Sequence, residues 1–439
     1  MKSRIADQPL DDPYVPGHGD LSFDVEHYRL ELEYSVDTNQ LGGRATLTAI
    51  AVDDLDRFEL DLHHLRVSKI TIDGAAPAKY SHHRDRLVVR PRSTIAAGQT
   101  FTIVVAYAGH PRPMPGLDGD AGWEELEDGA IVASQPHGAP SWFPCNDRPS
   151  DKATYEIQVT VATGYVVVAN GELESSRRRA SSTIWKFVEK APMATYLAVV
   201  HIGRYDAIKG GSTVPIRTVF PVGMSPESVE TFGRQDEMMQ LFVRLFGDYP
   251  FPGYTAVITA DELEIPLEAQ GLSVFGSNFC TTEWDHQRLI AHELAHQWFG
   301  NSVTLAHWRD IWLHEGFACY AEWLWSEESG GPSADEQAAR FWTQLDDLPQ
   351  DLVLGDPGPE LMFDDRLYKR GALFLHALRR TVGDDDFFGL LRTWTSRFAH
   401  GSATTEEFVA LAAEQCGAQI GTLVDPWLRD VSLPALPDS

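Results

Sequence analysis

From His27 the chain alternates, with Tyr28, Leu30, Leu32, Tyr34 and Val36 on one side and Arg29, Glu31, Glu33 and Ser35 on the other. A period of two marks a strand with one dry and one wet face. Shorter runs of the same kind recur at 45–52, 58–62, 67–72, 87–89 and 101–107, then at 155–161, 165–168, 183–187 and 195–201. Asp73-Gly74 is a hairpin signal. No helical period interrupts the first two hundred residues, so a β-domain is expected there. Residues 1–20, rich in Pro, Gly and Asp, read as an extended arm, and 109–129, rich in Gly, Pro and acids, as a loop.

The period changes beyond Lys209-Gly210-Gly211-Ser212, a domain seam. Helices are expected at 225–246, 281–300, 310–326, 333–346, 366–382, 384–398 and 404–416, the last opened by a Thr404–Glu407 capping box. A strand-like stretch at 255–259 and an acidic run at 261–272 separate the first two helices. Two domains are therefore expected, 1–204 and 205–439.

Within the second helix stands His292-Glu293-Leu294-Ala295-His296, with Thr281 or Thr282 as cap and Gly300 as stop. Histidines four apart lie one above the other, so both imidazoles can face one ion. Glu293 stays unligated and close enough to move a proton. Glu315, on the next helix running back alongside, is the candidate third ligand. Glu322, two turns later on the same face, can orient a ligand from behind. Two neutral imidazoles and one carboxylate with an open fourth position describe a catalytic zinc site and not a closed structural one.

Charge narrows the partners. Acidic residues number 64 against 36 basic, a formal net charge of −28. With no basic patch standing out, nucleic acid and anionic membrane are not expected as partners. The cysteines (Cys145, Cys280, Cys319 and Cys416) are scattered, as in a reduced, cytoplasmic protein. No run approaches the roughly eighteen apolar residues of a membrane span.

The pentad, the eighteen residues after it and Trp312-Leu313-His314-Glu315-Gly316-Phe317-Ala318 resemble the gluzincin zinc aminopeptidases, the family of aminopeptidase N and leukotriene hydrolase. His314 stands where Asn is usual. The likeness extends to Phe143-Pro144-Cys145-Asn146-Asp147-Arg148-Pro149, with Arg148 in place of a usual Glu, to Tyr368-Lys369-Arg370-Gly371, and to the run ending Glu268-Ala269-Gln270-Gly271. It implies an N-terminal all-β antiparallel domain of saddle-like sheets, then a thermolysin-like α+β, mostly helical catalytic domain. The chain would be a short form lacking the C-terminal helical domain of larger relatives.

The same resemblance implies one zinc per chain on His292, His296 and Glu315, with Glu293 as general base. Tyr368 would donate to the tetrahedral intermediate, and Glu268 and Gln135 would bind the substrate's ammonium group. The expected function is removal of the N-terminal residue from peptides with a free N-terminus, by metal-activated water, in a monomer or homo-oligomer. A thermolysin-like endo- or oligopeptidase would use the same metal ligands without an amine clamp. A non-catalytic zinc-bound peptide-binding scaffold would have no use for Glu293.

Overall fold

The computed structural model describes residues 12–417 and 420–437. They form two compact units. The first holds the chain up to Asp206 together with Phe220–Val222 and Ala269–Gly271; the second holds Ala207–Val219, Gly223–Glu268 and the chain from Leu272.

The first unit is built on the alternating strands. Its largest sheet has seven, in the order Glu172–Arg178, Ser182–Met193, Ala153–Ala162, Phe23–Ser35, Gln40–Ala51, Thr100–Gly109, Arg66–Ile72. The apolar face of Phe23–Ser35 is dry, with Tyr28 and Leu30 at 0% exposure, and Tyr28 stacks on Tyr155 with ring centroids 4.9 Å apart. The unit is all β but not wholly antiparallel: Phe23–Ser35 pairs parallel with Ala153–Ala162, Leu30 beside Ile157. Asp73 and Gly74 turn with φ of 49° and 79°, and Ile72 and Ala75 exchange hydrogen bonds across them.

Three expectations for this unit change. Residues 109–129 are not a loop, because Met114–Gly116 and Gly119–Leu126 join Gly129–Ala133 in a second, five-stranded sheet. The expected strand 195–201 is a 3₁₀ turn, Thr195–Leu197, followed by the strand Val200–Gly203. Of the expected arm, residues 1–11 lie outside those described. From residue 12 the chain is turned and tied down, not extended: His18 Nδ1 contacts Asp147 Oδ2 at 2.8 Å, and Gly19 N–H donates to Asp61 Oδ2 at 2.9 Å. Arg148, at the departure from the Phe-Pro-Cys signature, donates to Asp24 Oδ1 at 2.9 Å.

The second unit pairs a sheet with a helical body. Strands Ile216–Pro221, Tyr254–Ile258 and Leu272–Phe275 run parallel, with Leu267–Ala269 at one edge and Tyr205–Gly210, where a seam was expected, at the other. The helices are α1 (Gln235–Phe246), α2 (Trp284–Ala295), α3 (Trp312–Glu328), α4 (Ala334–Asp346), α5 (Asp365–Val382), α6 (Asp384–Arg397) and α7 (Thr405–Cys416). The first turns of the helix expected at 225–246 are 3₁₀, Pro226–Arg234. The Ser333–Glu336 and Thr404–Glu407 capping boxes are both formed. Every residue of α3 from Trp312 to Ser326 is buried, so this helix is the centre of the body and not a surface element.

α3 and α5 cross at two glycines. A Cβ on Gly316 would stand 2.9 Å from Gly371 Cα, and one on Gly371 would stand 2.7 Å from Gly316 Cα. The backbones therefore touch, and the crossing fixes Glu315 and Tyr368 on adjoining turns. Arg370, buried beside it, donates to six backbone carbonyls, including Leu352 O at 2.9 Å and Val431 O at 2.7 Å. That fastens the segment Pro426–Ser432 to α5. Among the described residues no helix is long and apolar enough to cross a membrane.

Candidate metal centre

α2 delivers the pentad. Its N-cap is Glu283, without a side-chain cap bond, so neither Thr281 nor Thr282 opens the helix; Thr281 Oγ1 instead lies 2.7 Å from His286 Nδ1. Regular helix ends at Ala295. The next turns widen, with Asn301 N–H bonding His296 O and Val303 N–H bonding Trp298 O, and Gly300 at φ 128° reverses the chain. The chain then returns as α3.

This return brings three expected ligands together. Glu315 Oε2 lies 3.3 Å from His292 Nε2 and 3.4 Å from His296 Nε2, and all three residues are buried. Donors at about 2.0–2.1 Å from one tetrahedral ion stand about 3.3 Å apart, so this spacing fits zinc. The outer ring nitrogens are both engaged: His292 Nδ1 bonds Glu322 Oε1 at 2.8 Å and His296 Nδ1 bonds Phe299 O at 3.0 Å. An imidazole that donates through Nδ1 can offer its Nε2 lone pair to a metal, and both Nε2 atoms lie beside the Glu315 carboxylate. Glu322 is in turn held by Arg288 Nη1 at 2.9 Å.

The charges follow from that packing. Burial alone would lower both imidazoles. The carboxylates outweigh it, Glu315 and Glu322 for His292 and Glu315 and Glu268 for His296, and lift each to about 9. Burial would raise Glu315, but His296 and His292 hold it well below the usual carboxylate range. Glu322, also against the pull of burial, is brought to about 2 by Lys369, His292 and Arg288. Without metal the site is thus two imidazolium rings bridged by a carboxylate.

Glu293 takes no part in this bridge. Its Oε2 is buried and has no hydrogen-bond partner among the described residues. Burial, reinforced by the neighbouring carboxylates of Glu268, Glu315 and Glu322, pushes its pKa well up. Glu268, on the edge strand Leu267–Ala269 and 4% exposed, is raised by burial to about 7. Oxygens of Glu268 and Glu293 and a ring nitrogen of His296 all lie within 4.8 Å of one another. This second grouping has one imidazole and two acids driven towards their neutral forms, a poorer cation site than the first and a better proton-handling one.

Tyr368 opens α5, its ring nearly parallel to His292 at 20° and 6.1 Å between centroids. Burial and then Glu315, Glu268 and Glu293 keep its hydroxyl protonated. His314 is fully buried, and its Nε2 accepts from Leu305 N–H at 2.8 Å, so the residue standing in for Asn braces the loop before α3. Gln135 belongs to the first unit, half-buried in the turn after Gly129–Ala133. The sequence reading missed Arg288, although it lies four residues before His292 on the same helix face. It also missed the Phe299 carbonyl and the Gly316–Gly371 contact.

Comparison with known proteins gives two family matches: the Peptidase M1 N-terminal domain over residues 24–197 and the Peptidase family M1 domain over 231–427. Aminopeptidase M1-A of Oryza sativa subsp. japonica is 26% identical over 86% of this chain, which spans 44% of that protein. The chain thus covers less than half the length of this curated relative. The M1 zinc metallopeptidase from Deinococcus radiodurans superposes with a TM-score of 0.89 at 31% identity, covering 98% of this chain and 100% of that one. A Glu-to-Ala mutant of that enzyme bound to a Tyr-Ser-Ala substrate superposes at 0.90 with 32% identity and the same coverage.

Proposed function

Since the chain belongs to peptidase family M1, we propose that it is a zinc aminopeptidase removing the first residue of peptides with a free N-terminus. One observation carries the reading: the buried acids Glu268 and Glu293 converge beside a two-histidine, one-carboxylate metal centre. His292, His296 and Glu315 would hold one zinc per chain, which supplies polarisation of a carbonyl and acidification of water.

Everything else falls to the chain. Glu293, with an unpartnered Oε2 and a raised pKa, accepts the proton of the attacking water and returns it to the leaving amine. Tyr368, kept as a neutral phenol, donates to the oxyanion as it forms. Glu322 and the Phe299 carbonyl hold the imidazoles in the tautomer that presents Nε2. Glu268 takes the substrate's ammonium. Loss of its own proton on meeting that cation restores the charge that burial suppresses, and sets the distance from the amino end to the scissile bond. For Gln135 the same assignment rests on the resemblance alone.

The acid beside the metal favours an exopeptidase over an endopeptidase, which has no ammonium to bind. Catalysis is assigned to residues 205–439. Residence in the cytoplasm is proposed from four free cysteines. The test is a panel of aminoacyl reporters, free and N-acetylated, with and without a chelator. Hydrolysis of free substrates only, abolished by the chelator and restored by zinc, is expected. Equal cleavage of the acetylated forms would replace this reading with an endopeptidase, and no cleavage at all would remove it.

A further inference from the structure

The net charge conceals a basic stretch. Residues 63–92 carry seven Lys and Arg against two Asp, with four His, inside a chain of formal charge −28. Folding sets part of this stretch beside His110 and Arg112. Arg66, Arg112, His64 and His110 line a cleft of about 490 Å³. His64 and Arg66 also line a second cleft of about 510 Å³, with Arg84 and His82.

What the arginines lack is as informative as where they lie. Arg86, in the same stretch, is neutralised by Glu59 at 2.6 Å and by Asp61. Among the described residues no carboxylate pairs with Arg66, Arg84 or Arg112, although the chain has 64 acids to offer. Arg112 donates to His64 Nε2, an acceptor that leaves the guanidinium charge intact. The one acid lining either cleft, Asp85, is engaged by His63 Nδ1 at 2.6 Å. His64 and Arg84 are moreover held at φ of 53° and 51°, a left-handed backbone that such side chains seldom adopt. Both residues border the same cleft.

We propose that these clefts form a binding site for a small polyphosphate-type oxyanion. A single carboxylate satisfies one guanidinium fork, whereas the two guanidinium groups lining each cleft, with Arg66 common to both, call for several acceptor oxygens and more than one negative charge. The clefts have the size of a small molecule and not of a track for a polymer. The site lies wholly within the first unit and uses none of the peptidase residues.

The probe is sodium tripolyphosphate, titrated calorimetrically into the zinc-loaded full chain. One-site binding is expected, weakened about tenfold or more in the R66Q/R112Q double variant. It should be unchanged in R397Q, which alters a surface arginine paired with Glu414. Sequestration of zinc by the titrant is common to all three proteins, so the differences report the clefts. Reporter hydrolysis by R66Q/R112Q is expected to match wild type. Equal binding by R66Q/R112Q and wild type would overturn the site. Tighter binding of citrate would overturn the phosphate assignment, and tighter binding of single-stranded RNA the small-molecule one.

Discussion

Glu293 and Gln have nearly the same shape, so Glu293→Gln removes the proton carrier and leaves the packing. Turnover is expected to fall by about 10²–10⁴-fold while zinc content, measured by atomic absorption, stays at one per chain. Near-normal turnover would take the base's role from Glu293. Tyr368→Phe should lower kcat by about 10²–10³-fold with KM little changed, as for loss of one oxyanion donor. The imidazoles set a pH dependence. In the metal-free chain they are raised from 6.5 to about 9, so the stability they contribute is full below pH 6.5 and lost as pH rises through 9. The raised acids Glu268 and Glu293 act in the same direction. Denaturant melts of the metal-free chain should therefore weaken across that window, and zinc, which must displace those protons, should bind more tightly across it. A metal-free chain that gains stability over this range would contradict the assignment. His292 with His296, and Glu322 with Glu315, were legible because helical spacing fixes which side chains share a face, and Glu315 itself was singled out by its offset of eighteen residues from the pentad and by the resemblance. Glu268 was not, since an edge strand in an acidic run gives no such constraint and only the resemblance singled it out.

At the scale of elements, the α3–α5 crossing controls the site more tightly than any cap. A methyl group at Gly371 would meet the Gly316 backbone at 2.7 Å, which no rotamer change relieves. Gly371→Ala is expected to cost about 1–3 kcal/mol in denaturant unfolding and to lower kcat as well, since Tyr368 moves with α5 and Glu315 with α3. Wild-type stability and kcat together would show the helices able to part freely. Strands with one wet face were read correctly from their alternation. Two of those missed lack that pattern for opposite reasons: Gly129–Val132 is buried at every position, and Glu172–Arg178 is exposed at every position. The second is an edge strand held by its pairing to Ser182–Met193, which no local period announces.

For the molecule as a whole, the division near residue 205 read from composition is a simpler cut than the one the fold makes. Gln270 O accepts from Asn170 Nδ2 at 3.0 Å, and Gln270 Nε2 donates to Ala191 O at 3.2 Å, all inside the first unit. Residues 1–206 expressed alone are expected to melt below the full chain and to lose amide-exchange protection around Asn170 and Ala191. Equal protection would make Gln270 dispensable to that unit.

That arrangement bears on how a ribosome can make the protein. Phe23–Ser35 leaves the exit tunnel first, yet its parallel neighbour follows only after residue 153, so the nascent sheet waits with an open edge. Nor is the first unit complete when its last long strand emerges, because Ala269–Gly271 is still to be translated. Nascent chains stalled before Gly271 should be the ones that chaperones hold and proteases cut.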